Sequence, residues 1–213
     1  MKTLRITEIF YSLQGESSLV GWPTVFVRLT GCPLRCQYCD TAYAFHGGQQ
    51  HSLTDILQQV AQYSPRYVCV TGGEPLAQRE CLTLLTQLCD QGYTVSIETS
   101  GALDVSGIDA RVIKVVDVKT PGSGECARNL WSNLAWLSPQ DQIKIVICDH
   151  ADYEWAKQII DEYQLTQKVQ VLFSPSYQQV GAQELAEWIL QDRLPVRMQV
   201  QLHKTIWGDV PGK

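Results

Sequence analysis

Apolar residues in this chain form short runs separated by stretches of helical period. Residues 24–31 (TVFVRLTG), 67–72 (YVCVTG), 94–101 (TVSIETSG) and 112–119 (VIKVVDVK) are rich in β-branched residues, as are 143–148 (IKIVIC), 169–174 (VQVLFS) and 196–203 (VRMQVQLH). Each predicts a strand. Leu53, Ile56, Leu57 and Val60 recur at helical spacing, which predicts a helix over 53–63, and Ser52 with Asp55 forms a capping box at its start. Further helices are predicted over 76–91, ending at Gly92, over 127–137, over 151–163 and over 181–191. In the 151–163 helix, Trp155, Ala156, Ile159 and Ile160 share one face.

Several of the strands are nearly continuous apolar runs, the mark of a parallel sheet covered on both faces. Strand–helix alternation points to right-handed βαβ units and an α/β fold, either an open sheet or a partial TIM-like barrel. At 213 residues the chain is short for a full eightfold barrel, which takes about 250. One domain over 1–213 is expected, with 119–126 (KTPGSGEC) its most flexible segment. Ligands of parallel α/β folds gather at the carboxyl ends of the strands. A cysteine cluster falls at such an end, as do Gly72-Gly73-Glu74-Pro75, Glu98-Thr99-Ser100-Gly101, Asp117-Val118-Lys119 and His203-Lys204.

Charge narrows the partners. Acidic residues outnumber basic ones 22 to 17, for a net charge of -5, and no basic block occurs. A nucleic-acid partner is therefore disfavoured. No apolar run reaches the roughly 18 residues of a membrane span, and the N-terminus does not read as a signal peptide, so a cytoplasmic location is expected. Three of the eight cysteines lie within eight residues, and the other five are scattered. In a reducing compartment such a cluster indicates a metal or catalytic site rather than disulfides.

The cluster reads Cys32-x3-Cys36-x2-Cys39. Three thiolates suit a [4Fe-4S] cube and leave one iron without a protein ligand, where ferredoxin-type clusters take four cysteines. A zinc site is the alternative, but zinc favours paired C-x2-C ligands and a closed fourth position. The motif, with aromatic Tyr38 before the last cysteine, resembles the radical S-adenosylmethionine (SAM) superfamily. That resemblance implies an abridged barrel of βα units over 1–213. It also implies SAM chelated by the open iron and cleaved to a 5′-deoxyadenosyl radical. Thr71-Gly72-Gly73-Glu74-Pro75, one βα unit later, resembles the superfamily segment that contacts the methionyl group.

Leu13-Gln14-Gly15-Glu16, Arg28, Cys39-Asp40-Thr41, ETSG (98–101), DVK (117–119) and QLHK (201–204) together resemble the 7-carboxy-7-deazaguanine synthase family. The resemblance implies ring contraction of 6-carboxy-5,6,7,8-tetrahydropterin with loss of ammonia, dependent on Mg²⁺ and feeding 7-deazapurine synthesis. SAM is used catalytically. By that resemblance Leu13, Gln14, Gly15, Glu16, Arg28 and Thr71 bind the pterin, and Glu98 and His203 are the catalytic candidates. Tyr38, Cys39, Asp40, Gly73, Asp117, Val118, Lys119, Phe173, Ser174, Pro175 and Ser176 border SAM, and Thr41 binds Mg²⁺. A homodimer and an electron donor such as flavodoxin or ferredoxin are expected on the same ground. The residue types fit: Arg28 matches a carboxylate bidentately, and hard Mg²⁺ wants oxygen ligands. Arg28, in an apolar strand, needs a ligand or an internal ion-pair partner.

Ser17, Leu202 and Thr120 depart from the family pattern, and none of them is a proposed ligand. The tail 204–213 either closes the pocket or is loose. Two other readings remain at this point. One is a different radical SAM enzyme, such as a glycyl-radical activase. The other is a non-catalytic metal or iron–sulfur protein.

Overall fold

The computed structural model describes residues 2–208, Val210 and Gly212. Pro211 and Lys213, part of the tail proposed to close the pocket, lie outside the described residues. In chain order the elements begin with β1 (Thr3–Leu13), β2 (Pro23–Leu29), β3 (Gln49–Ser52), α1 (Leu53–Gln62), β4 (Tyr67–Gly72), α2 (Cys81–Asp90) and β5 (Thr94–Thr99). There follow β6 (Ile113–Asp117), β7 (Gln142–Ile147), α3 (His150–Tyr163), α4 (Leu165–Lys168), β8 (Gln170–Pro175), α5 (Ala182–Asp192), β9 (Arg197–Met198) and α6 (Leu202–Trp207). The strands form one sheet in the order β3-β1-β2-β4-β5-β6-β7-β8-β9. From β2 onward through β9 the neighbours are parallel, while β1 runs antiparallel to both β2 and β3.

The sheet curls. Seven spacings of ~4.8 Å would put β1 and β9 more than 30 Å apart if it were flat, and four residues beyond β1 reach only about 14 Å. Yet the Ser17 N–H donates to Gln199 Oε1 at 2.9 Å, and the Leu202 N–H to the Gly15 carbonyl at 3.0 Å. The result is an incomplete barrel. Its two sides are joined by the 14–18 segment and the stretch from Gln199 to α6.

Alternation sorts the two faces of each strand. Val25, Val27, Leu29, Val68, Val70, Val95 and Ile97 pack outward with Ile56, Val60, Leu84, Leu85 and Leu88 of α1 and α2. Ile143, Ile145, Ile147, Val171 and Phe173 pack outward with Tyr153, Ala156, Ile159, Ile160 and Leu185 of α3 and α5. The residues between them, including Arg28, Thr71, Glu98 and Lys144, face the lumen.

The structure corrects several sequence expectations. The helix over 76–91 is split. Pro75–Ala77 is a 3₁₀ turn whose first amide is captured by the Glu74 carboxylate, and α2 begins at Cys81. Residues 127–137 hold two 3₁₀ turns, Cys126–Arg128 and Trp131–Trp136, in place of an α-helix. The strand over 196–203 shrinks to Arg197–Met198, and His203 lies in α6, where tertiary contacts to Gly15 and Asp40 outweigh an alternating pattern. Residues 119–126 are pinned, not loose: Thr120 and Ser123 are fully buried, and Asp152 accepts from the Thr120 hydroxyl (2.7 Å) and the Gly122 N–H (2.8 Å). β1 and β3 were not expected. A register shift between Ile6 and Glu8 breaks the alternation of β1, so Leu4, Ile6 and Ile9 all reach the apolar layer.

Candidate active site

The cysteine loop leaves β2 at the carboxyl end of the parallel strands and is fastened from two sides. On one side the Glu74 N–H donates to the Gly31 carbonyl (2.7 Å) and the Gly73 N–H to the Leu29 carbonyl (3.0 Å). A Cβ on Gly73 would lie 2.3 Å from the Gly31 oxygen, so this crossing admits only glycine. Glu74, fully buried, also accepts from the Thr99 hydroxyl (2.9 Å) and the Ser100 N–H (2.6 Å), which ties the loop to the end of β5. On the other side, the amides flanking Cys36 donate to the 120s segment: Arg35 N–H to Glu125 Oε1 (2.5 Å) and Gln37 N–H to the Ser123 carbonyl (3.0 Å). Arg35 itself bonds the Cys32 and Leu34 carbonyls and lies over the Phe45 ring.

Cys32, Cys36 and Cys39 are all half-buried. Burial pushes each thiol up, Cys36 to about 11. As free groups they hold their protons, and iron binding releases them. Among the described residues no three His, Cys, Asp or Glu side chains stand close enough to share one metal ion. Ligands of a four-iron cube each take a different iron and stand farther apart than ligands of a single ion. Three thiols on one braced loop, beside the Lys119 cation, fit a cluster of that kind better than zinc.

The lumen below this loop carries a belt of charge. Arg28 Nε bonds Glu8 Oε1 at 2.6 Å, and the Tyr43 hydroxyl donates to the same oxygen. An internal partner for Arg28 therefore exists. The contact uses the Nε edge, and no described residue bonds the two Nη groups. Glu98, at the end of β5, accepts from Thr71 (3.1 Å) and Gln14 Nε2 (3.3 Å). Burial raises its pKa first, and Glu16 raises it further. Glu16 is bonded to Lys144 Nζ at 2.5 Å. Burial would push that lysine down, but Glu16, Asp117 and Glu98 outweigh it and hold its pKa above the ordinary range.

Nearer the cysteines, Lys119 Nζ lies 2.8 Å from Asp117 Oδ2 and 5.5 Å from the Tyr38 ring centre. Asp117 Oδ1, the Tyr38 hydroxyl and Ser174 Oγ are buried without a hydrogen-bond partner among the described residues. Buried polar atoms are normally paired, so these three are the chain's own sign of a bound polar molecule. Asp40 takes Lys204 Nζ (3.2 Å), Gln201 Nε2 (3.3 Å) and the Thr41 hydroxyl (2.7 Å).

Most sequence-derived site residues thus converge, though not all through their side chains. Because β1 is antiparallel, Gln14, Gly15 and Glu16 enter from the amino ends of the parallel strands, opposite the cysteine loop, and plug the lumen from below. Gly15 is bare because His203 lies against it: a Cβ there would sit 2.1 Å from His203 Nδ1. Leu13 belongs to the outward face of β1. Val118 and Phe173 pack in the outer apolar layer, Phe173 edge-on to Tyr153. Only the backbone of those three is available to a ligand. Pro175 ends β8, and Ser176 Oγ is bonded to Gln179. Sequence reasoning missed Glu8, Lys144 and Gln199. Lys144 carried the same signal as Arg28, a charge inside an apolar strand.

Comparison with known proteins agrees with this geometry. A model of the radical SAM superfamily matches residues 26–117. The chain is 47% identical over 208 residues to the 7-carboxy-7-deazaguanine synthase of Chlorobaculum tepidum, covering 96% of this chain and 94% of that protein. It is 45% identical to the one from Koribacter versatilis, at 96% and 97% coverage. The crystal structure of QueE from Escherichia coli superposes with a TM-score of 0.76 over 94% of this chain and 95% of that one, at 23% identity. Streptococcus suis SuiB bound to precursor peptide SuiA gives 0.58 over 83% of this chain and 48% of that one, at 14% identity.

Proposed function

We propose a role for each part of this lumen from one premise: the chain belongs to the 7-carboxy-7-deazaguanine synthase family of radical SAM enzymes. Its activity is formation of 7-carboxy-7-deazaguanine, and its family cofactors are a [4Fe-4S] cluster and SAM. Membership sets aside the glycyl-radical activase and the non-catalytic metal protein. The substrate assigned to the lumen is 6-carboxy-5,6,7,8-tetrahydropterin. The observation that carries the assignment is the set of polar groups lining the lumen beneath the cysteine loop: Arg28 on Glu8, Thr71 on Glu98, and Lys144 on Glu16. So many fixed charges in a small buried space suit a compact polar heterocycle, not a polypeptide.

Cys32, Cys36 and Cys39 would hold the cluster. Tyr38, Asp117, Lys119, Ser174 and the Gly73 backbone would hold SAM. Bound there, the pair would supply radical chemistry at the pterin ring, the reducing electron being delivered to SAM and not to the substrate. The chain's own share is placement and charge. Arg28 Nη groups offer a fork to the substrate carboxylate. Glu98, its proton affinity raised by burial and by Glu16, is suited to hold or pass a proton at Oε1 or Oε2 near the reacting ring. His203, pressed on Gly15, is the second catalytic candidate. The 14–18 plug and α6 exclude water from below and from the side. Thr41 Oγ beside the Asp40 carboxylate offers hard oxygen donors to Mg²⁺. A homodimer, a flavodoxin- or ferredoxin-type electron donor and a cytoplasmic location complete the proposal. Among the described residues no helix is long and apolar enough to cross a membrane.

The test is anaerobic reconstitution with iron and sulfide, then incubation with SAM, dithionite, Mg²⁺ and carboxytetrahydropterin. The readout is the absorbance and mass of a deazaguanine product, with Cys36→Ala as control. Product that vanishes in the control is expected. Deoxyadenosine without deazaguanine would overturn the substrate.

A further inference from the structure

The seam that closes the barrel contains two polar atoms without a partner among the described residues, Glu16 Oε1 and Gln199 Nε2. Glu16 is 6% exposed and Gln199 7%, so water does not satisfy either atom. Their positions are linked. Gln199 Oε1 accepts from the N–H of Ser17, the residue after Glu16. The amide end facing a backbone N–H must be the oxygen, so the free end is an NH₂ donor. Met198 packs in the outer apolar layer, and alternation turns the Gln199 side chain inward. The other oxygen of Glu16 is held by Lys144, which faces the lumen. An acceptor and a donor therefore lie on the two segments that meet at the floor of the lumen, each fixed by its own second contact and not bonded to each other.

That pairing has a complement in heterocycle chemistry: the lactam edge, where a ring N–H lies next to a carbonyl. We propose that Gln199 is a specificity-determining residue that reads this edge together with Glu16. Glu16 Oε1 accepts the ring N–H, and Gln199 Nε2 donates to the neighbouring carbonyl oxygen. The inference rests on the pterin reading of the lumen and names the ring edge that the floor recognises. It also explains why the last strand, only two residues long, is followed by a buried glutamine before α6 turns away.

The test uses the reconstituted enzyme and two non-reacting probes. One is 6-carboxypterin, and the other is its 4-amino counterpart, which lacks the carbonyl and the ring N–H. The parent should bind the 4-oxo compound at least about tenfold more tightly, as expected when a buried polar pair loses its complement. Gln199→Glu keeps an oxygen for Ser17 but turns the donor into an acceptor. It should weaken 4-oxo binding roughly tenfold or more, narrow or reverse the preference, and raise KM for carboxytetrahydropterin more than it lowers kcat. Gln199→Met, which adds no charge, should weaken the 4-oxo probe without improving the 4-amino one, and it covers the case in which the glutamate variant does not fold. If the parent forms product but both folded variants keep its preference and its KM, the role of Gln199 is overturned and the pterin reading stands. If the parent neither binds 6-carboxypterin nor consumes carboxytetrahydropterin, the pterin reading falls and takes this inference with it.

Discussion

Replacing Lys144 with methionine would remove a cation that interacts with Glu16, Asp117 and Glu98 together. The side chains of the Glu16–Lys144 pair are only 8% and 15% exposed. Taking one partner from a buried pair strands the other charge and costs about 3–5 kcal/mol. In a chain of this size each kcal/mol moves Tm by about 2–4 °C, so a drop of roughly 6–20 °C is expected. The deficit should depend on pH in a defined direction. The Glu98 pKa is raised, so the folded chain holds that proton when the unfolded chain has released it, and stability falls as pH rises between the ordinary and the raised value. Lys144 opposes the rise, so its removal extends that window upward. The gap between variant and parent should be widest near pH ~8 and shrink toward pH ~5.5. Scanning calorimetry of both proteins without the cluster, at both pH values, reads this directly. A variant that melts within about 2 °C of the parent at the higher pH, or a gap that grows on acidification, would refute the reasoning.

Two further perturbations probe the loop that carries the cysteines. Gly73→Ala would drive a methyl against the Gly31 carbonyl and the Cys32 Cβ, an overpacking worth about 1–3 kcal/mol, and should weaken SAM binding about tenfold in equilibrium dialysis of the reconstituted protein. Unchanged binding would mean the crossing can yield without disturbing the site. Glu125→Ala would release the amide of Arg35, so iron should pass to a chelator up to about tenfold faster, followed by loss of cluster absorbance. A rate equal to the parent's would show that Ser123 and Gly73 hold the loop without Glu125.

The alternating elements and the carboxyl-end placement of the chemistry could be read from the chain because each is a local signal. Arg28 in VFVRLTG betrayed a polar lumen, and Lys144 in IKIVIC said the same thing unheeded. What stayed hidden depends on contacts far apart in sequence. The slip at Ile6–Glu8 erased the period of β1, and no local pattern could show that β1 is antiparallel. That orientation sends Gln14 and Glu16 in from the opposite mouth of the barrel. Residues 119–126 looked loose because Thr, Pro, Gly and Ser suit turns, yet a single distant carboxylate, Asp152, fixes them. Phe173 and Val118 were named with their neighbours as a block, whereas a strand turns every second side chain away.

The bond from Ser17 to Gln199 spans 182 residues. At synthesis rates of about 5–20 residues per second, roughly 10–40 s separate the emergence of the floor segment from that of the strand that secures it. Most of that interval passes before the wall is complete: β8 ends at Pro175, so the β2–β8 strands precede Gln199 by only about 1–5 s, and until then the charged inner face stays open to water. The floor segment is thus among the first parts of the chain made and the last secured, so the substrate chamber is the final feature of the fold to shut.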